Sequence, residues 1–370
     1  MAGARIQGLT MPKWGMSMTQ GKVVRWLLPE GTLVSLETDV VEIETEKITG
    51  AVQSPMAGVL RRHVAPPDHD VPVGGLLAVI ADAETSDKEI DTFTEQAAAE
   101  VTVEQSDAQT ASPESILLGD RRIRYLKRGD GQPTVVLIHG FGGNLNNWLF
   151  NQEALAISRT VYAFELPGHG QSSKDVGDGS LGTLVQCFLE CFDAIGLTDV
   201  YLVGHSLGGA IAVALAHHAP DRVRCCTLIA SVGMGTEIDT AFIDGLVQAN
   251  RRKQLKPQLE KLFADPGQVT RQLVDDLLKF KRLDGVQHAL QTIAAQMVAD
   301  SRQTINVRDQ LQQLTMPTLV LWGQEDRIIP ASHAQGLPDS IAVKVFPGCG
   351  HMVHMEAASE VNRALEEHFK

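Results

Sequence analysis

A strongly acidic stretch at residues 82–113 divides the chain into two parts that must fold separately. It holds nine aspartates and glutamates, one lysine and a single aromatic residue, Phe93. A segment with so much charge and so few large apolar side chains cannot bury enough surface to offset the entropy lost on ordering. We therefore predict an acidic flexible linker at 82–113, between one domain at 1–81 and another at 114–370. A helix around 90–103 is the alternative for part of it.

The overall charge limits the partners of both domains. The formal net charge is −13 and the isoelectric point is near 5.4, which argues against binding to nucleic acid or to an anionic membrane surface. The first 20 residues lack a basic segment followed by an apolar run, and no window reaches the roughly 18 apolar residues of a membrane helix. We expect a cytoplasmic protein with no nucleic-acid or membrane partner.

The first domain has the pattern of a small all-β structure. Short runs rich in β-forming residues at 23–28, 40–43, 59–63 and 76–80 are separated by glycines. Short strands with regular turn signals and no helical period predict an antiparallel β-sandwich or flattened β-barrel.

Lys47 lies where two of these strands would turn. Residues 41–46 alternate like a strand, and a second turn signal follows at Gly50. A lysine at the tip of a tight hairpin is held away from the domain body, where a modifying enzyme can reach it. On spacing alone, an unmodified and solvated lysine is the simpler interpretation.

The second domain has the pattern of an α/β fold. Apolar strands at 134–138, 160–164, 200–203, 226–230 and 318–322 alternate with segments of helical length. This alternation predicts a mostly parallel sheet covered on both faces. Polar, amphipathic helical sequence at 235–312 interrupts the alternation, and we expect it to form a helical cap over one edge of the sheet.

Ser206 stands in a setting typical of an activated nucleophile. Gly204 and Gly208 flank it at two residues on either side, an apolar strand precedes it and an apolar helix follows. A sharp strand-to-helix turn needs glycines there and presents the hydroxyl at the sheet edge, beside the positive end of the helix. A simple glycine-rich turn is the alternative, and the strand-turn-helix context argues against it.

A serine hydroxyl needs a base, and the base needs an orienting acid. His351 lies in a glycine-flanked loop before the C-terminal helix, and Asp326 follows the strand at 318–322 at its carboxyl end, where α/β sheets build their sites. We predict a Ser206, Asp326 and His351 triad, with His354 as the rival base. His139 and His205 lie too near the strand ends and should instead support the local turns.

The oxyanion of an attacked carbonyl needs two preorganised donors. We predict that they are the backbone N–H groups of Leu207, at the start of the helix, and of Phe141, in the glycine-rich run 140–143. That run could alternatively hold a phosphate, but it lacks the following lysine and the spacing of a nucleotide-binding loop. We also expect no metal site, because no second cysteine pair joins Cys187 and Cys191.

Residues 1–80 resemble a lipoyl domain of the 2-oxo-acid dehydrogenase type. The likeness covers the segments 11–21, 29–31, 46–48 and 54–58. Biotin carriers are similar, but they typically place methionines beside the modified lysine, where this chain has Glu46 and Ile48. The resemblance implies that a lipoate-attaching enzyme joins lipoic acid to Lys47.

Residues 115–370 resemble the α/β-hydrolase superfamily along their whole length. Fused to a lipoyl domain, the chain resembles the dihydrolipoamide acetyltransferase components of bacterial acetoin dehydrogenase complexes. The resemblance implies two partner enzymes, a thiamine-diphosphate-dependent acetoin-cleaving component and a dihydrolipoamide dehydrogenase. It also implies coenzyme A as the acetyl acceptor, and we expect a homo-oligomer. Two departures from ordinary 2-oxo-acid dehydrogenase acyltransferases put a large symmetric core in doubt: the chain lacks a His-x-x-x-Asp-Gly motif and a recognisable subunit-binding module.

Three functions remain open from the sequence. The leading hypothesis is acetyl transfer from the dihydrolipoyl group on Lys47 to coenzyme A through Ser206. The second is hydrolysis of the same thioester, because water competes with the thiol acceptor. The third is a non-catalytic lipoyl carrier and scaffold, against which the intact Ser206, Asp326 and His351 set argues.

The segment 251–256 is the densest positive run in this acidic chain. It falls within the predicted cap, where Arg251, Arg252 and Lys253 would contact an acidic ligand, either the phosphates of coenzyme A or the glutamate-rich hairpin that bears Lys47. A solvated helix face is the simpler interpretation, because each exposed charge pair contributes only about 0 to 1 kcal/mol.

Overall fold

The computed structural model describes residues 6–12, 20–36, 38–44, 49–95, 97 and 112–370. The chain forms two compact units, Met1–Ala111 and Ser112–Lys370. Within the described ranges, no helix is both long and apolar enough to cross a membrane.

The first unit contains two four-stranded antiparallel sheets, which confirms the predicted all-β architecture. One sheet has the order β1-β8-β6-β3 and the other β5-β4-β2-β7. Alternate residues of the strands point into a shared core, where Val23, Val41, Ile43 and Leu60 are fully buried. The strands are β1 (Ile6–Thr10), β2 (Gln20–Trp26), β3 (Leu33–Val34), β4 (Asp39–Glu44), β5 (Thr49–Gln53), β6 (Gly58–His63), β7 (Asp70–Pro72) and β8 (Leu76–Ala81).

A helix at 87–95, α1, differs from the predicted flexible linker at 82–113. Its Ile90 is 1% exposed and packs with Leu76 and Val79 of the first unit, next to the partly buried Phe93. Burying a side chain of this size contributes about 1.5–3 kcal/mol. The prediction failed here because average composition hides a single apolar helix face. Residues 98–111 of the predicted linker lie outside the described residues.

The acidic face of α1 is neutralised by two neighbouring arginines of β6. Arg61 pairs with Asp87 at 2.9 Å, and Arg62 pairs with Asp91. Arg61 also donates to the carbonyl of Thr85 at 2.6 Å. The first folded unit therefore extends past the boundary predicted at residue 81.

The second unit is built on one eight-stranded sheet, as the alternating pattern predicted. Its order is β18-β17-β14-β13-β11-β12-β10-β9. Six strands run parallel: β11, β12, β13, β14, β17 and β18. The strands β9 and β10 form an antiparallel hairpin at one edge, where β10 pairs with β12. The strands are β9 (Glu114–Leu118), β10 (Arg121–Arg128), β11 (Val135–Ile138), β12 (Val161–Phe164), β13 (Val200–His205), β14 (Val223–Ile229), β17 (Thr318–Gly323) and β18 (Ile341–Phe346).

Helices cover both faces of this sheet because its central strands are apolar on both sides. Val136 and Ile138 face a core shared with α3, α4 and the cap, whereas Val135 and Leu137 face the core shared with α2 and α11. These helices are α2 (Leu149–Ala156), α3 (Leu181–Ile195), α4 (Leu207–His218), α10 (Val353–Glu356) and α11 (Ala358–His368).

The segment predicted to form a cap, 235–312, contains four longer helices, one short helix and one small hairpin between β14 and β17. Its helices pack on one another and on the sheet core through residues such as Leu246, Leu255, Leu278 and Ile293. The elements are α5 (Thr240–Gln248), α6 (Arg252–Glu260), α7 (Arg271–Lys281), α8 (Val286–Met297), β15 (Val298–Ala299), β16 (Arg302–Gln303) and α9 (Arg308–Gln312).

Candidate active site

Ser206 occupies a sharp turn between β13 and α4. Its backbone has φ 54° and ψ −116°, a strained conformation for a residue with a side chain, of the kind that costs about 1–3 kcal/mol and clusters at active sites. The turn closes because Gly204 and Gly208 leave room: a Cβ on Gly204 would lie 2.1 Å from the carbonyl oxygen of Gly208. The Ser206 N–H donates to the carbonyl of Ile229 at 2.9 Å, which anchors the turn to β14.

The structure brings Asp326 and His351 together. Nδ1 of His351 lies 2.8 Å from Oδ2 of Asp326, and both side chains are almost fully buried. A carboxylate only accepts hydrogen bonds, so Nδ1 carries the proton and Nε2 keeps a free lone pair. The other oxygen of Asp326 accepts from the N–H groups of Ile328 and Ile329 at 2.8 and 3.0 Å. This bonding holds the carboxylate in one orientation.

His205 connects the serine turn to the histidine loop. Its Nε2 lies 3.0 Å from the carbonyl oxygen of His351 and donates to it, and the two rings are 4.8 Å apart. Because His205 directly precedes Ser206, this bond holds the backbone of the His351 loop beside the serine turn. The supporting role predicted for His205 therefore extends across the site.

His354, the rival base, is placed differently from His351. Its fully buried ring lies between Trp148 and His205, with centroid distances of 4.7 and 4.5 Å. Burial, together with the nearby His351, lowers the pKa of His354 to about 3. Of the two rings, that of His351 is the one that hydrogen-bonds to Asp326.

The two predicted oxyanion donors lie at the ends of separate elements. Leu207 begins α4, and Phe141 follows Gly140, where a Cβ would lie 2.8 Å from the Cβ of Ser206. The next N–H in the loop, that of Gly142, already donates to Nε2 of His169 at 2.9 Å. Within the described residues, no acceptor was found for the N–H groups of Phe141 and Leu207, which leaves both free for a ligand oxygen.

Two neutral histidines fix the loop that carries Phe141. Burial lowers the pKa of His139 to about 3 and that of His169 to about 4. His139 accepts from the N–H of Leu166 at 3.1 Å and contacts the carbonyl of Gly140 at 2.8 Å. The role predicted for His139 fits this geometry. His169 was not among the predicted residues, and its signal in the sequence is its position between Gly168 and Gly170 after β12.

The cap contacts both loops of the site. Leu246 of α5 approaches the loop that carries Phe141, since a Cβ on Gly142 would lie 2.5 Å from Cδ2 of Leu246. On the other side, the N–H of Met352 donates to the carbonyl of Leu262 at 3.1 Å. The cap therefore packs against both the loop that carries Phe141 and the loop that carries His351.

The predicted basic cluster lies at the start of α6 in the cap. Arg251, Arg252 and Lys253 are all exposed. Arg252 binds both carboxylate oxygens of Asp275 on α7, one of them at 2.6 Å. Arg251 and Lys253 form no ion pair with any carboxylate in the described ranges, so the cluster offers two uncommitted cations rather than three.

Lys47 falls in the connection between β4 and β5, outside the described residues. The flanking strands pair closely, with Glu44 opposite Thr49. A hairpin of this kind fits a lysine that carries a covalent arm, because only four residues separate the paired ends. In the described part of the chain, no group of three or more metal-ligating side chains comes together.

Comparisons with known proteins identify both units. Residues 7–80 match the family described as biotin-requiring enzyme, and residues 133–358 match the alpha/beta hydrolase fold. A meta-cleavage product hydrolase from Pseudomonas fluorescens shares the fold of the second unit, with a TM-score of 0.63 at 24% identity over 69% of this chain and 97% of that one.

Two relatives align with nearly the whole of this chain, and others align with part of it. The dihydrolipoyllysine-residue acetyltransferase component of the acetoin cleaving system from Pseudomonas putida is 46% identical over 98% of both chains, and that from Cupriavidus necator is 42% identical over 97% of this chain and 96% of the relative. A 2-hydroxy-6-oxononadienedioate/2-hydroxy-6-oxononatrienedioate hydrolase from Paraburkholderia phymatum is 30% identical over 71% of this chain and 97% of the relative. The chain belongs to the family of dihydrolipoyllysine-residue acetyltransferase components of acetoin cleaving systems.

Proposed function

We propose that the second unit moves an acetyl group between two thiols through a covalent acyl-serine at Ser206. The observation that carries the proposal is the buried hydrogen bond between His351 Nδ1 and Asp326 Oδ2, 2.8 Å long. It leaves the imidazole oriented as a base beside a strained serine turn. The family supports thioester chemistry as the reaction, because its members are named acetyltransferases.

The first half-reaction forms the acyl-serine. Nε2 of His351 takes the proton of the Ser206 hydroxyl while Oγ attacks the thioester carbonyl. The carbon–sulfur bond then breaks, and His351 returns the proton to the departing sulfur. Asp326 stabilises the imidazolium that exists between these two transfers.

The second half-reaction runs the same steps with a new thiol. His351 removes the proton from the thiol of coenzyme A, whose sulfur attacks the acyl-serine carbonyl. The carbon–oxygen bond to Ser206 breaks, and the proton returns to Oγ. In both halves the N–H groups of Phe141 and Leu207 would stabilise the oxyanion, a contribution of about 3–4 kcal/mol per donor in comparable sites.

Lys47 is the residue proposed to hold lipoic acid. When attached and in its reduced dihydrolipoyl form, the group would supply a dithiol, one sulfur of which carries the acetyl group as a thioester. Membership of an acetoin cleaving system implies further components. We propose that these are the acetoin-cleaving thiamine-diphosphate enzyme and dihydrolipoamide dehydrogenase, and that a lipoate-attaching enzyme modifies Lys47.

Hydrolysis of the same thioester is the second candidate. Relatives 30% identical over 71% and 66% of this chain favour it, because they are named hydrolases. A thiol is the stronger nucleophile, whereas water is far more concentrated. Access of water to the acyl-serine under the cap would decide the outcome.

Product analysis separates the two functions. The full chain is mixed with acetyldihydrolipoamide and coenzyme A, and the products are quantified. Acetyl-coenzyme A as the main product supports transfer, and free acetate supports hydrolysis. Release of neither product, with the acetyl donor intact, would contradict both and leave a carrier or scaffold.

A further inference from the structure

Glu356, at the end of α10, joins the histidine loop to the cap. Its Oε1 accepts from the N–H of Gly350 at 2.8 Å, and its Oε2 accepts from the N–H of Ala264 at 2.7 Å. Gly350 directly precedes His351, and Ala264 lies in the cap between α6 and α7. One half-buried carboxylate therefore bonds to the backbones of two elements that are distant in sequence.

The two backbones are already in close contact at this point. A Cβ on Gly350 would lie 2.8 Å from the nitrogen of Ala264 and 2.9 Å from the carbonyl oxygen of Leu262. Each of the two N–H groups takes a separate oxygen of the Glu356 carboxylate. A glutamine at position 356 would satisfy only one of them and would turn its amide NH₂ toward the other.

The carboxylate also acts on the catalytic pair without touching it. Burial raises the pKa of Glu356, and the nearby Asp326 also raises it. The hydrogen bonds from Ala264 and Gly350 and the nearby His351 oppose that rise. No cation forms an ion pair with Glu356 within the described ranges. A negative charge held near His351 favours the protonated imidazole that forms in each half-reaction.

We propose that Glu356 is a positioning residue that couples the cap to the orientation and charge of His351. The inference rests on the proposed function, because it assigns His351 the role of the base. It predicts that a ligand that shifts the cap segment 262–264 changes the reactivity of Ser206. It also predicts that the two backbone segments lose protection together when the carboxylate is removed.

Three variants of the full chain separate the effect of the two hydrogen bonds of Glu356 from the effect of its negative charge. Glu356→Gln removes the charge and one of the two bonds. Glu356→Asp keeps the charge but is one methylene shorter, so it cannot reach both N–H groups. Glu360→Gln makes the same chemical change on an exposed residue of α11 and serves as the matched control.

The first measurement is the rate at which a fluorophosphonate labels Ser206, followed as a function of pH. We expect labelling of Glu356→Gln to be slower by about tenfold, as for the loss of a hydrogen bond to a charged group. Its acid limb should move to lower pH, because the imidazolium loses a negative neighbour. The other titratable groups facing His351 are Asp326, His205 and His354, and all are unchanged. Glu356→Asp should be slower with the acid limb at its wild-type position.

The second measurement is hydrogen–deuterium exchange, which does not depend on activity. Peptides that contain Ala264 and Gly350 should exchange faster together in both Glu356 variants and should not change in Glu360→Gln. If Glu356→Gln keeps the wild-type labelling rate, acid limb and hydrogen–deuterium exchange, the role of Glu356 is wrong, while the proposed function stands. Failure of the fluorophosphonate to label wild-type Ser206 would overturn the proposed function and this inference with it.

Discussion

The indole N–H of Trp322 donates to Oδ2 of Asp326 at 3.1 Å, the same oxygen that accepts from His351. The indole also contacts the carbonyl of Ile329 at 3.0 Å, and the side chain is fully buried. Trp322 and His351 therefore hydrogen-bond to the same carboxylate oxygen of Asp326. Replacing the indole should leave that oxygen with more negative charge for His351.

Trp322→Phe should lower kcat/KM for acetyl transfer by about tenfold, because the carboxylate loses one donor that fixes its position. It should also move the acid limb of kcat/KM to higher pH, since the imidazolium is better stabilised. Trp148→Phe is the matched control: Trp148 is equally buried, and its indole N–H has no acceptor among the described residues. Equal effects of the two substitutions on the pH profile would reduce Trp322 to a packing residue.

Ser206→Ala should reduce acetyl transfer below about a hundredth of the wild-type rate, because loss of a triad nucleophile costs several orders of magnitude. Attachment of lipoic acid should be unaffected, since the modified hairpin belongs to a separately folded unit. Assays of transfer and intact-protein mass spectrometry measure the two effects. Ser231→Ala, a change at another buried serine, is the control. Rapid transfer by Ser206→Ala would contradict the acyl-serine route.

Lys47 should carry one lipoyl group when the protein is produced in cells supplied with lipoate. Peptide mass spectrometry locates the modification, and Lys47→Arg should abolish it while keeping the positive charge. Lys22→Arg, at a lysine of β2 that pairs with Asp68 at 3.0 Å, should leave it unchanged. Biotin on Lys47, or an unmodified lysine, would contradict the carrier role.

Arg251→Glu combined with Lys253→Glu should raise KM for one acidic substrate and flatten the dependence of that KM on salt, because both cations are free of carboxylate partners in the described part of the chain. Arg282→Glu changes another exposed cation of the cap and is the control. Kinetics at low ionic strength test coenzyme A and the acetyl donor separately. Unchanged KM values for both would make the cluster an ordinary solvated surface.

Stability of the second unit should fall in mild acid because of its buried neutral histidines. Burial lowers the pKa of His354 to about 3 and that of His169 to about 4, against about 6.5 in an unfolded chain. Their contribution is therefore complete above about pH 6.5 and declines as pH falls toward the folded pKa, by roughly 1.4 kcal/mol per pH unit for each histidine. Urea unfolding of His354→Gln between pH 7.5 and 5.5 should give a shallower decline than wild type. If the free energy of unfolding declines equally steeply with falling pH in both proteins, His354 is not a buried neutral histidine with a lowered pKa.

Most of the strands could be predicted from the sequence, because each depends on residues that are adjacent in the chain. The strands around Val41, Leu60, Leu137 and Val203 were identified because unbroken or alternating apolar runs define strand faces. The β9 and β10 hairpin was not predicted, because the charged residues of Arg121–Arg128 obscure its alternation. A helix near α1 was only the alternative to a flexible linker, because the few apolar residues that bury it, such as Ile90, are diluted by acidic neighbours.

The sequence by itself determined the two-domain plan, the turn at Ser206 and the candidates for base and acid, because each depends on residues close together in the chain. Only the tertiary structure shows that Asp326 hydrogen-bonds to His351 and not to His354, since this depends on which ring the carboxylate meets after folding. It likewise revealed Glu356, which accepts from the N–H of Ala264, 92 residues away in the chain. Hydrogen bonds between distant segments have no local pattern, so they become visible only when packing brings donor and acceptor together.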